Sequence, residues 1–93
     1  MQLGRVVGSV VATTRSEGLT GRPLRLVRPT SEKDALNGDV FVAVDTVGSG
    51  EGEMVLVTTG SAARAMLGDV EVDAAIVAIV DEIDSEGRPT YRK

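Results

Sequence analysis

Three glycines at alternate positions, Gly48, Gly50 and Gly52 in "DTVGSGEGE" (45–53), form the first spacing in this sequence that bears on chemistry. A run of this kind cradles a phosphate when its backbone N–H groups lead into a helix N-terminus. The dinucleotide fingerprint G-x-G-x-x-G needs its third glycine one place later and a helix behind it, whereas "MVLV" (54–57) continues here as strand. Asp69 stands about twenty residues on, where a ribose-binding acid would, but 14 acids make that coincidence cheap. No glycine is followed by lysine, so a P-loop is absent. The stretch reads as a β-turn with left-handed glycines.

The other candidates carry less. "EIDSEG" (82–87) opens like a calcium loop with Glu82, Asp84, Glu86 and Gly87, but the place of the bidentate glutamate falls on Lys93. Ser61 follows a glycine as a nucleophile would. The chain has no histidine, and its two lysines, Lys33 and Lys93, sit in polar segments. Glu51 and Glu53 form a carboxylate pair, but their sequence surroundings do not promise a raised pKa. With cysteine also absent, zinc, copper and haem chemistry lose their usual ligands. No catalytic, cofactor-binding or metal site is expected, and no enzyme activity.

The elements that hold these residues are strands. Fifteen valines against one Phe and one Tyr give a strand composition. "LGRVVGSVVATT" (3–14) is a long β-branched run whose Gly4 and Gly8 suggest bends. "LRLVRP" (24–29) is a half-buried strand ended by Pro29, and Asn37-Gly38 mark a turn. "VFVAVDT" (40–46) and "EMVLVTT" (53–59) flank the glycines as an expected hairpin. "GSAARAML" (60–67) predicts a short helix with Ser61 as N-cap and Gly68 as stop, and "DAAIVAIVD" (73–81) a fifth strand. The end of the sequence reads as a polar tail. Five short strands with one helix between the fourth and fifth imply an all-β fold, a small five-stranded barrel like the oligonucleotide-binding (OB) type.

Two of the strands are apolar on both faces. In "VFVAV" and "AAIVAIV" one face fills the barrel and the other emerges, beyond what a single short helix can cover. Other copies of the chain are the economical cover, with Val42, Val44, Ile76 and Val77 as interface candidates. The alternative is that the small Ala43, Ala75 and Ala78 make a tolerable exposed face. Arg64, on the helical turn, could pair with an acid of its own or the next subunit.

Ninety-three residues fit one domain. The formal charge of −4 and the lack of aromatic platforms argue against nucleic-acid binding, although the eight arginines could form a local patch. No stretch approaches the roughly 18 apolar residues of a membrane span and no signal peptide is visible, so a soluble cytoplasmic protein with no membrane partner is expected.

"MQLGRVVGSVVATTR", "LTGRPLRLVRP", "VAVDTVGSGEGEMVLVTTGSAAR" and "VDAAIVAIVD", in that order and spacing, resemble the EutN/CcmL family, the pentameric vertex proteins of bacterial microcompartment shells. The likeness covers residues 1–84 and leaves 85–93 as a tail without a matching pattern. It implies an OB-like barrel assembled as a homopentamer that plugs the five-fold corners of a shell tiled by hexameric, and also trimeric, shell proteins. It implies a narrow axial pore near which the glycine-rich loop would bring Ser49, Gly50 and Glu51, the glycines letting five copies of a hairpin approach closely. Arg15, Arg22 and Arg28 become candidates for contact with neighbouring tiles. The alternative is an OB-like module that binds an oligonucleotide or a small ligand.

Overall fold

Alternation along the valine-rich runs sorts side chains onto two faces, and that sorting determines how the strands close. The computed structural model describes residues 1–13, 15, 17–19, 21–68 and 72–93. Strands β1 (Gln2–Val10), β2 (Leu24–Pro29), β3 (Phe41–Asp45), β4 (Met54–Thr59) and β5 (Ala74–Ile79) form a closed barrel in the order β1-β2-β3-β5-β4. Helix α1 (Gly60–Leu67) connects β4 to β5, as expected for an OB-like barrel. The glycines do not join a hairpin. Strand β5 lies between β3 and β4, pairing parallel with β3 (Val44 opposite Ala75) and antiparallel with β4, so the loop at 46–53 spans a gap at the barrel end.

The interior is filled by Val6, Val27, Ala43, Val55, Val57, Ala74 and Ile76, with Phe41 and Ile79 packed against them. Register slips at Val77 in the β4–β5 pair, and this bulge lets Ile76 and Ile79, three residues apart, both turn inward. A second slip follows Val6 in the β1–β2 pair, and β1 ends at Val10, short of the expected Thr14. Gly4 is required where β1 crosses β2: a Cβ there would stand 2.5 Å from Val27 Cγ1 and 3.3 Å from the Arg28 carbonyl oxygen.

Outside the barrel a second apolar cluster, Leu24, Val44, Ala63, Val72 and Ala75, lies under α1. Helix α1 packs on β4 and β5, and Val44 and Ala75, part of the face expected to need another chain, are buried in this cluster within the chain itself. The helix N-cap is Thr59, with extended backbone and no side-chain cap bond, while Ser61 sits exposed inside the first turn. Gly68 ends it in the left-handed conformation, its N–H bonded to the Arg64 carbonyl.

The segment read as a tail is ordered. Strands β6 (Glu82–Ser85) and β7 (Arg88–Arg92) pair antiparallel through the two-residue turn Glu86-Gly87, both at positive φ as a type I′ turn requires. Glu82 is paired with Arg92 across the strands, so the acids of "EIDSEG" spread along a strand and its turn instead of converging on an ion.

Candidate functional site

The loop from Thr46 to Glu53 is the part of the chain whose local geometry is most heavily specified by side chains. At its inner end the Asp45 carboxylate, with a fully buried side chain, accepts from the N–H groups of Val47 and Gly48 (both 3.1 Å) and Ser49 (2.8 Å). Arg25 Nε donates to the same carboxylate at 3.1 Å, and its Nη1 reaches Ser9 Oγ at 2.9 Å. Burial pushes the Asp45 carboxyl up. The Val47 amide, the Arg25 guanidinium and the Ser49 amide outweigh that and hold it below the ordinary carboxylate range. The concave amide surface that could have held a phosphate is thus occupied by the chain's own carboxylate.

At the outer end Glu53 takes the corresponding role. Its Oε1 accepts from Gly50 N–H at 2.7 Å, and its Oε2 pairs with Lys93 Nζ at 2.7 Å. Lys93 first, and then the Gly50 amide, hold the Glu53 carboxyl below its usual range, opposite to what a general acid needs. The Gly52 N–H donates to the Val6 carbonyl at 2.8 Å, while Arg5 donates to the Gly52 carbonyl and pairs with Asp34. Gly48 (φ 78°) and Gly52 (φ 92°) supply the left-handed conformations of the loop. Gly50 has no such need, and a Cβ on it would meet only Glu53 Oε1, at 3.6 Å.

Of the three pore candidates, Gly50 and Glu51 lie at the loop tip and Glu51 is exposed, whereas Ser49 is 1% exposed and faces inward. The interface candidates also divide. Ile76 is fully buried in the core and offers no surface to a neighbour, whereas Val44, 3% exposed, lines the floor of the groove beside Val42. Val77 is partly buried beside α1, and Val42 is 45% exposed. Val42 stands at the rim of an apolar groove of about 190 Å³ that includes Leu19, Leu24, Val72 and Ala74. Arg64 is half-buried on α1 and makes no ion pair among the described residues. Arg15 Nη1 donates to the Arg22 carbonyl (2.9 Å), Arg22 Nη2 to the Leu67 carbonyl (3.4 Å), and Arg28 Nη1 to the Gly38 carbonyl (3.1 Å). These contacts place Arg15 and Arg22 together at one end of the barrel and Arg28 over the β2–β3 connection. Asp69 lies outside the described residues.

Sequence reasoning passed over Asp45, Arg25, Glu53 and Arg5 as the residues that shape the loop. The signal for Asp45 was its place directly before a glycine turn, where a short acid side chain reaches the following amides. Neither aromatic is free to act as a stacking platform. Phe41 packs on the barrel core, and the Tyr91 ring lies 5.8 Å from the Arg5 guanidinium carbon.

These features define a small closed β-barrel of OB-like architecture with a tightly specified glycine loop at one end. The chain belongs to the EutN_CcmL family, described as ethanolamine utilisation protein EutN/carboxysome, whose family model matches residues 1–81. It is 45% identical over 87 residues to the bacterial microcompartment shell vertex protein GrpN of Rhodospirillum rubrum (strain F11), covering 91% of this chain and 98% of GrpN. The solved structure of the GrpN pentameric microcompartment shell protein from that organism is similar with a TM-score of 0.85 and 46% identity, across 91% of this chain and 99% of that one. The structure of CcmL from Nostoc sp. PCC 7120 gives a TM-score of 0.92 at 42% identity, with both chains covered completely.

Proposed function

We propose that five copies of this chain form a ring that caps the five-fold vertices of a polyhedral bacterial microcompartment shell. The observation that carries the reading is the match to the pentameric GrpN shell protein along 91% of this chain. The physical role is geometric: hexagonal tiles alone make flat sheets, and closure into a polyhedron needs five-fold units at its corners. The protein works without catalysis, in the cytoplasm, with hexameric and trimeric shell proteins as its neighbours and Arg15, Arg22 and Arg28 as contacts toward them. Val42, Val77 and Arg64 face the next copy in the ring, and Gly50 and Glu51 approach its axis. Support for a covered outer face comes from the groove at Val42, which α1 leaves open.

Co-expression with its own hexameric partners tests the role. Shells made with the chain should be closed and tight, whereas those made without it should be elongated, uncapped or leaky. Equal closure by electron microscopy and equal permeability with and without the chain would refute capping.

A further inference from the structure

The glycine loop is held at two ends by different means. Its inner end is fixed inside the barrel by Asp45; at its outer end backbone bonds tie Gly52 and Glu53 to Val6, and the Glu53 and Arg5 side chains hold the Gly50 amide and the Gly52 carbonyl. Both of those side chains also touch the β6–β7 hairpin: Glu53 through Lys93 Nζ at 2.7 Å, and Arg5 through the face of Tyr91. Lys93 in turn closes the open end of the hairpin, its N–H donating to the Asp81 carbonyl at 2.8 Å and its Nζ lying 3.9 Å from the Asp81 carboxylate. Among the described residues the hairpin pairs with no barrel strand, and Ser85 Oγ donates to Glu32 Oε2 in the β2–β3 connection at 2.8 Å.

We infer that the β6–β7 hairpin is a latch for the glycine loop, with Glu53 as the positioning residue that transmits its state. One carboxylate holds the loop amide of Gly50 on one oxygen and the hairpin ammonium on the other. Release of Lys93 lets the Glu53 side chain swing into solvent and takes the Gly50 bond with it, while Asp45 keeps the inner half of the loop in place. The Lys93–Glu53 pair is solvent-accessible, with side chains 48% and 25% exposed, so it is screened by salt and contributes little to global stability. Its effect is local: it holds the Glu53 carboxylate on the Gly50 amide. The latch stands on contacts within one chain and holds whether or not the loop lies on a five-fold axis.

Hydrogen–deuterium exchange on the assembled protein tests this, comparing wild type with Lys93→Ala and Glu53→Gln. The Gln variant keeps an acceptor for Gly50 and removes the ion pair. Both variants should raise exchange severalfold in the hairpin and at the Gly50 amide together, with Val47 to Ser49 unchanged, and 1 M salt should move wild type the same way. Glu82→Gln, which breaks a pair confined to the hairpin, should loosen residues 82–92 alone. Faster hairpin exchange in Lys93→Ala with an unaltered loop would overturn the coupling, and so would no change in either segment. A shift of assembly state in these variants, read by native mass, would report on the ring separately.

Discussion

Asp45 concentrates more of the loop's geometry than any glycine does, and its replacement should be felt accordingly. Asp45→Ala strands three amides and a guanidinium, a loss of about 2–3 kcal/mol measurable by denaturant unfolding at neutral pH. Because the folded protein holds this carboxyl below its ordinary value, the contribution is complete above about pH 4 and disappears as pH falls through the lower folded value. The gap between wild type and Asp45→Ala should therefore narrow only in strong acid, and a gap independent of pH would contradict the assignment. At Gly50 an added Cβ would make only an ordinary contact with Glu53 Oε1, and there is no positive φ to protect. Gly50→Val should shift the stability of an isolated chain by no more than about 0.5 kcal/mol. A weakened ring or a narrowed axial opening in that variant would then come from a neighbour's approach, and an unaffected ring would put the loop off-axis. The glycine triplet was legible as a turn; the acids that organise it were not, because a carboxylate's bond to nearby amides leaves no periodic trace.

At the scale of elements, the five barrel strands and the helix could be read from valine alternation and from the stop at Gly68, but their pairing could not. The hairpin expected between β3 and β4 is replaced by insertion of β5, a long-range choice that local sequence does not encode. The β6–β7 hairpin escaped for a different reason. Its residues are largely polar and exposed, so no apolar alternation marks it, and its turn uses Glu86-Gly87 where Asn-Gly or Asp-Gly would have drawn notice. The positive φ of 80° at Gly87 makes a specific test possible, since nothing lies within 4 Å of a Cβ there and only the backbone would object. Gly87→Val should cost the hairpin about 1–2 kcal/mol, seen as faster amide exchange across residues 82–92, and leave the barrel's unfolding midpoint nearly unchanged. A large drop in that midpoint would mean that the hairpin supports the barrel core.

For the whole molecule, the two-faced strands pointed to association, and the structure divides that signal. The chain buries Ala75 and most of Val44 in its own second cluster, Ile76 turns into the barrel core, and Val42 remains at an open groove. Val42→Asp is consequently a sharp probe: at 45% exposure an isolated chain tolerates the charge, whereas a covered interface would bury it unpaired at a cost of several kcal/mol. A ring of five shows itself in the native mass of the purified chain at micromolar concentration. One species of about five times the 9.7 kDa chain mass is expected, and its loss in Val42→Asp. A stable monomer would contradict the assembly, and a hexamer would contradict the vertex role.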